Sequence, residues 1–84
     1  MANEEILEKL KQAMIDLEDA MVEQLVDESI QAGIPPIEVL LEGLAPGLTV
    51  IGDQYAAGER FMSDLMISGT LMNEAMEKLL PSVL

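Results

Sequence analysis

The sequence predicts an all-α fold, an antiparallel four-helix bundle whose third helix is kinked or broken. Two observations point there. Apolar residues recur at steps of three and four along nearly the whole chain, the period of a helix with one buried face. Glycine and proline punctuate that pattern at a few places, dividing the 84 residues into four segments of helical length with short connections.

The first segment puts Ile6, Leu7, Leu10, Ala13 and Met14 on one face and Glu4, Glu5, Glu8 and Lys11 on the other. Asn3 suits an N-cap, and the early glutamates suit the positive end of the helix dipole. Asp16 is expected to cap a second helix, with Asp19 three residues on as a weak capping-box analogue. The buried stripe of that helix is predicted as Ala20, Met21, Leu25, Val26 and Ile30. Gly33 then suits a left-handed C-cap, and Pro36 suits the first turn of a third helix.

The third segment carries Ile37, Leu40, Leu41, Leu44, Leu48, Ile51 and Tyr55 on one continuous helical face, yet Gly43, Pro46 and Gly47 interrupt it. Proline lacks a backbone donor and clashes with the preceding turn, which predicts a kink or break near Ala45. Gly58 closes the segment. A fourth helix is expected from Met62 or Ser63, with Asp64 in its first turn, to about Leu80, where Pro81 stops it.

Composition narrows the function classes. A chain this short makes one small domain that buries roughly 60% of its unfolded surface. It has no cysteine, which excludes disulfides and thiolate metal sites, and no histidine, which removes the commonest metal ligand and the usual general base near neutral pH. Sixteen acidic residues against Lys9, Lys11, Arg60 and Lys78 give a formal charge of −12. Four scattered cations cannot track a phosphate backbone, so neither nucleic acid nor an anionic membrane surface is an expected partner. No signal peptide is visible and no run approaches the ~18 apolar residues of a membrane span, so the expected location is cytoplasmic. The carboxylates of the first two helices (Glu4, Glu5, Glu8, Glu18, Asp19, Glu23, Asp27 and Glu28) lack the Glu-x-x-His spacing of di-iron bundles and read as a wet face.

The most informative stretch is Gly52–Met72. It holds the chain's only tyrosine and only phenylalanine, Tyr55 and Phe61, with several methionines around the Gly58 corner. The fourth helix is apolar over more than the ~100° that one core needs, so the surplus is expected to meet a partner, another copy or a cofactor. Ordinary core is the competing explanation of a Met-rich helix. Phe61 and Met66 are expected as core or corner packing. Asp53, Glu59 and Arg60 are expected as helix-terminal charges on a solvated corner.

The ordered pieces Ala-Gly-Ile-Pro-Pro (32–36), Gly-Leu-Ala-Pro-Gly (43–47) and Gly-Asp-x-aromatic-x-x-Gly-Glu-x-Phe-Met (52–62), followed by a long final helix, cover nearly the whole chain. In this order they resemble the N-terminal helical cap domain of corrinoid (vitamin B12) proteins, the methyl carriers of cobalamin-dependent methyltransferase systems, as in the cap of methionine synthase. The resemblance implies a non-catalytic bundle that sits over the upper face of cobalamin, shields the cobalt–methyl bond and moves aside for a methyltransferase. It places the cofactor contacts on Tyr55, Met62 and Leu65. Met62 and Leu65 share a face at i, i+3, while Tyr55 arrives from the end of the neighbouring helix. This chain has tyrosine where the family usually has phenylalanine and methionine where leucine is common.

The resemblance also implies a C-terminal Rossmann-like cobalamin domain whose Asp-x-His-x-x-Gly histidine ligates cobalt from below. No such motif lies in these residues, so residues 1–84 are expected to be a single cap domain, with cobalamin held by the full-length protein and none by this stretch alone. An excised domain is the favoured explanation, over a truncated product or a stand-alone bundle that has lost its cofactor. The implied partners are a substrate:corrinoid methyltransferase and a methyl-accepting methyltransferase. A homodimer through the bare apolar corner is a further expectation. The competing class is an acidic helical-bundle interaction module without cofactor.

Overall fold

The computed structural model describes the backbone of residues 2–83 and the side chains of residues 3–81. Among the described residues there are four helices and no strand. The first helix spans Ala2–Ile15 and the second Asp19–Gln31. The third joins three stretches without a break: Pro36–Val39, a π-helical turn at Leu40–Leu44, and Ala45–Ala56. The fourth spans Met62–Val83. Helix one packs on helices two and three, and helix four packs on the same two from the other side. Their shared core contains Leu7, Leu10, Ala13, Met14, Val22, Leu25, Val26, Ile34, Val39, Leu44, Leu71, Ala75 and Leu79.

The stripe predicted for helix one is the buried one, with Ile6 half-buried at its edge. In helix two the face is rotated. Leu25 and Val26 are buried and Ile30 is half-buried, but Ala20 and Met21 are exposed, and Val22 and Ser29 take their place. Ser29 is accommodated because its hydroxyl donates to the Val26 carbonyl at 2.6 Å, and among the described residues no buried side-chain polar atom is left unpaired.

Three helix ends share one hydrogen-bonding pattern. After helix two, Gly33 N–H reaches the Ile30 carbonyl and Ile34 N–H the Ser29 carbonyl, both at 3.0 Å. After helix three, Gly58 and Glu59 bond Tyr55 and Gln54 in the same way. Both are Schellman caps with a glycine at positive φ, 77° and 81°. Helix one ends likewise, with Leu17 and Glu18 bonding Met14 and Ala13, but the residue at positive φ (55°) is Leu17. Its side chain is packed against the core, and that burial offsets the steric cost of the left-handed conformation.

This turn displaces two predicted caps. Asp16 belongs to the end of helix one and accepts a side-chain bond from Gln12. Helix two is preceded by Glu18, which makes no side-chain cap. Asn3 lies inside the first turn of helix one rather than ahead of it.

The kink expected near Ala45 takes the form of the π turn. Ala45 N–H bonds Leu40 O, one residue further back than in an α-helix, and Pro46 enters the next stretch at its first turn, where its missing donor costs least. The extra residue also shifts the helical face. Leu44 and Ile51 are buried as predicted and Leu40 and Leu48 half-buried, but Ile37 and Leu41 turn outward at 59% and 58% exposure. Val39, Gly43 and Gly47 complete the buried line instead. Pro81 does not stop helix four, which continues to Val83. It sits exposed in the final turn, where a helix is already giving up its hydrogen bonds.

Candidate functional site

The corner between helices three and four is built by local rules. Gly58 reverses the chain after Ala56, and residues 59–61 lead to the fourth helix. Phe61 stands at the N-cap, and its N–H donates to the Asp64 carboxylate at 3.1 Å, half of a capping box. Asp64 thus serves the helix N-terminus in two ways, by hydrogen bond and by dipole.

These constraints bring the three candidate residues to one end of the bundle. Tyr55 occupies the last turn of helix three and is 37% exposed. Met62 opens helix four at 57% exposure, and Leu65 follows half-buried in the next turn.

Two neighbours extend the patch. Phe61 and Met66 are not packing residues, as the sequence suggested, but the most exposed large apolar side chains described, at 78% and 69%. The core face of helix four runs instead through Ser68, Leu71, Ala75 and Leu79. Met62, Met66 and Gly69 recur at three and four on a face turned away from that line. The width of the apolar surface was the available signal. Assigning Phe61 to it required knowing where the cap falls.

Arg60 also departs from expectation. It is half-buried, and its guanidinium donates to Gln54 Oε1 at 2.7 Å and to the carbonyl oxygen of Ile15. Asp53 and Glu59 are exposed, as charges on a wet corner should be. So are the carboxylates of helices one and two, with Asp27 half-buried. Lys78 joins Asp27 (3.0 Å) and Glu23 (3.3 Å) across from helix four. Glu74 holds its proton more strongly than usual, chiefly because of Asp19 across the helix two–helix four groove, with Glu23 and Glu77 adding to the effect. Among the described residues no group of acidic side chains is arranged to hold a metal ion. No helix there is long and apolar enough to cross a membrane.

A second apolar surface lies toward the other end of helix four. Pro36, Ile37, Leu40, Met76, Leu79 and Leu80 line an open cleft of about 220 Å³. No candidate residue from the sequence falls in it.

Comparison with known proteins places this geometry. The chain is 43% identical over 83 residues to monomethylamine corrinoid protein 2 of Methanosarcina acetivorans, and 32% identical over 84 residues to the trimethylamine corrinoid protein of Methanosarcina barkeri. Both matches cover 99% of this chain but only 38% and 39% of those proteins, so it spans well under half their length. The structure of the Methanosarcina barkeri monomethylamine corrinoid protein superposes with a TM-score of 0.90 at 36% identity, over 95% of this chain and 38% of that one. The model of the B12 binding domain family matches residues 6–80, and with these relatives it shows that the chain belongs to that family as the helical cap domain of a corrinoid protein.

Proposed function

We propose that this domain forms the upper cover of the corrinoid in a methyl-carrier protein, and that Tyr55, Met62 and Leu65 make the cover. The observation that carries this reading is the apolar surface at the helix three–helix four corner. Tyr55, Phe61, Met62 and Met66 stand exposed there, and Phe61 and Met66 are the most exposed large apolar side chains among the described residues of a strongly acidic chain. Leaving such a patch bare costs solubility, so it is matched to an apolar or aromatic face.

The residues present fit a corrinoid's upper face. They offer thioether, aryl and alkyl groups, which exclude water, and the chain has no imidazole or thiolate to compete for cobalt. The corrinoid supplies methyl-transfer chemistry at its cobalt. In this reading the domain is not itself the catalyst: Asp64 is engaged in capping helix four, and Asp53 and Glu59 stand in solvent. Lower-face ligation falls to a Rossmann-like domain beyond these residues, and donor and acceptor methyltransferases are the partners, in the cytoplasm. The relatives' names point to a methylamine as the methyl source.

A chimera tests this. These residues replace the matching segment of the Methanosarcina acetivorans relative, and the purified protein is examined for bound corrinoid. We expect a coloured protein whose corrinoid is ligated by added cyanide at least tenfold faster after Tyr55→Asp plus Met62→Asp. A colourless chimera, or equal cyanide rates, refutes the cover.

On its own the 84-residue chain is expected to self-associate through the same corner. Sedimentation that shows a monomer at high concentration, or a dimer indifferent to Tyr55→Glu, refutes that expectation. A chain that dimerises by this route, combined with a colourless chimera, would favour the interaction-module reading.

A further inference from the structure

Arg60 lies in the connection between helices three and four, whose backbone is bonded to the ends of helices three and four at Gly58, Glu59 and Phe61 but makes no backbone bond to helix one. Its two acceptors belong to two different helices. Gln54 is in the last turn of helix three, and Ile15 is the last residue of helix one. The Ile15 carbonyl is one that the turn at Leu17 leaves over, since the Leu17 and Glu18 N–H groups are spent on Met14 and Ala13. A helix C-terminus carries negative partial charge, and a guanidinium there makes a charge-assisted bond in the favourable field. The forked head reaches both acceptors at once, which a lysine ammonium on its single stem would not do with the same geometry. Among the described residues, no other side chain of 57–61 hydrogen-bonds to the helices.

We infer that Arg60 is the positioning residue of the apolar corner. By tying the connection to helices one and three, it sets the direction in which helix four departs. It therefore sets where Met62 and Leu65 stand relative to Tyr55. Arg60 makes no contact with the corrinoid in this scheme and acts only through those side chains, so the assignment rests on the cover reading above.

Amide hydrogen exchange on the 84-residue chain tests it, comparing wild type, Arg60→Ala and Lys78→Ala. The last removes the other cross-helix cation, on the groove between helices two and four. In Arg60→Ala the hydrogen-bonded amides of residues 58–62 (Gly58, Glu59 and Phe61) are expected to exchange at least tenfold faster, while those of residues 71–79 keep their wild-type rates. Acrylamide quenching of Tyr55, the chain's one tyrosine with no tryptophan to mask it, is expected to rise in parallel. Lys78→Ala changes neither readout at the corner. Exchange at 58–62 within twofold of wild type overturns the proposal. So does a rise shared by all amides, or a rise reproduced by Lys78→Ala. If Arg60→Ala fails to fold, Gln54→Ala cuts one arm alone and must still raise exchange at 58–62 two- to threefold, and no rise again overturns the proposal.

These measurements need no corrinoid, so they stand apart from the cover itself. In the chimera, Arg60→Ala is expected to speed cyanide ligation at least threefold. Faster exchange with unchanged ligation overturns the link to the cover. A chimera also indifferent to Tyr55→Asp plus Met62→Asp overturns the cover reading.

Discussion

Replacing Gly47 by alanine is expected to destabilise the protein, whereas replacing Gly52, five residues on in the same helix, stabilises it. Both substitutions relieve a helix of a glycine, which by propensity alone is worth about 1 kcal/mol. They differ in what the added methyl meets. At Gly52 no atom lies within 4 Å of the new carbon. At Gly47 it would fall 2.7 Å from Met14 Cβ and 3.1 Å from the Lys11 carbonyl oxygen. Neither is the loose end of a side chain, so helix one itself must retreat.

Restoring ordinary contact requires the two helices to part by about 0.7 Å at that point. Leu10, Met14, Leu44 and Ile51 lie fully buried around the crossing and lose contact as it opens. Overpacking of this kind costs about 1–3 kcal/mol, and the upper half of that range exceeds the propensity gain, for a net loss of about 1–2 kcal/mol. For a domain of this size that is a fall in Tm of about 4–15 °C, against a rise of a few degrees for Gly52→Ala. Thermal and urea unfolding followed by circular dichroism read both. The reasoning is refuted if Gly47→Ala melts at or above wild type, or if Gly52→Ala loses as much as Gly47→Ala.

Three further outcomes follow from other residues. At Leu17, alanine keeps the left-handed strain and loses the packing, so it is expected to cost about 1 kcal/mol more than glycine, which relieves the strain. Equal losses in urea titrations of the two variants would show that φ at this turn does not matter. Glu74 is an acid whose carboxyl is pushed above its ordinary 4.5 in the folded state. Its charge therefore opposes folding at neutral pH, and the penalty is gone once pH falls below 4.5. Glu74→Gln should raise Tm at pH 7 in low salt and make no difference near pH 4, with the gain shrinking in 1 M salt. A gain that persists near pH 4 contradicts this. Phe61→Ala should change stability by less than about 0.5 kcal/mol, because so little of the ring is buried and neither side chain caps the helix. A larger loss would mean the ring packs into the bundle.

Local chemistry made most of the bundle legible. Helix one's stripe follows from spacing alone, because only one face of Ile6–Met14 is apolar enough to bury. The caps at Gly33 and Gly58 and the start at Pro36 are equally local, since each residue is selected by its own backbone angles. The Tyr55–Met62–Leu65 corner could be located because the ordered motifs around it are themselves written in the chain. Leu17 could not, since nothing in a leucine announces a left-handed turn and only core packing holds it there.

What the sequence by itself determined was the helical class, the main boundaries and the place of the apolar corner. Each rests on interactions within a few residues. Tertiary structure decided which faces meet: that Gly43 and Gly47 mark a close helix crossing, that a π turn swings Ile37 and Leu41 outward, and that Arg60 reaches across 45 residues to the end of helix one. Those outcomes depend on distances between segments far apart in the chain, which no local periodicity encodes.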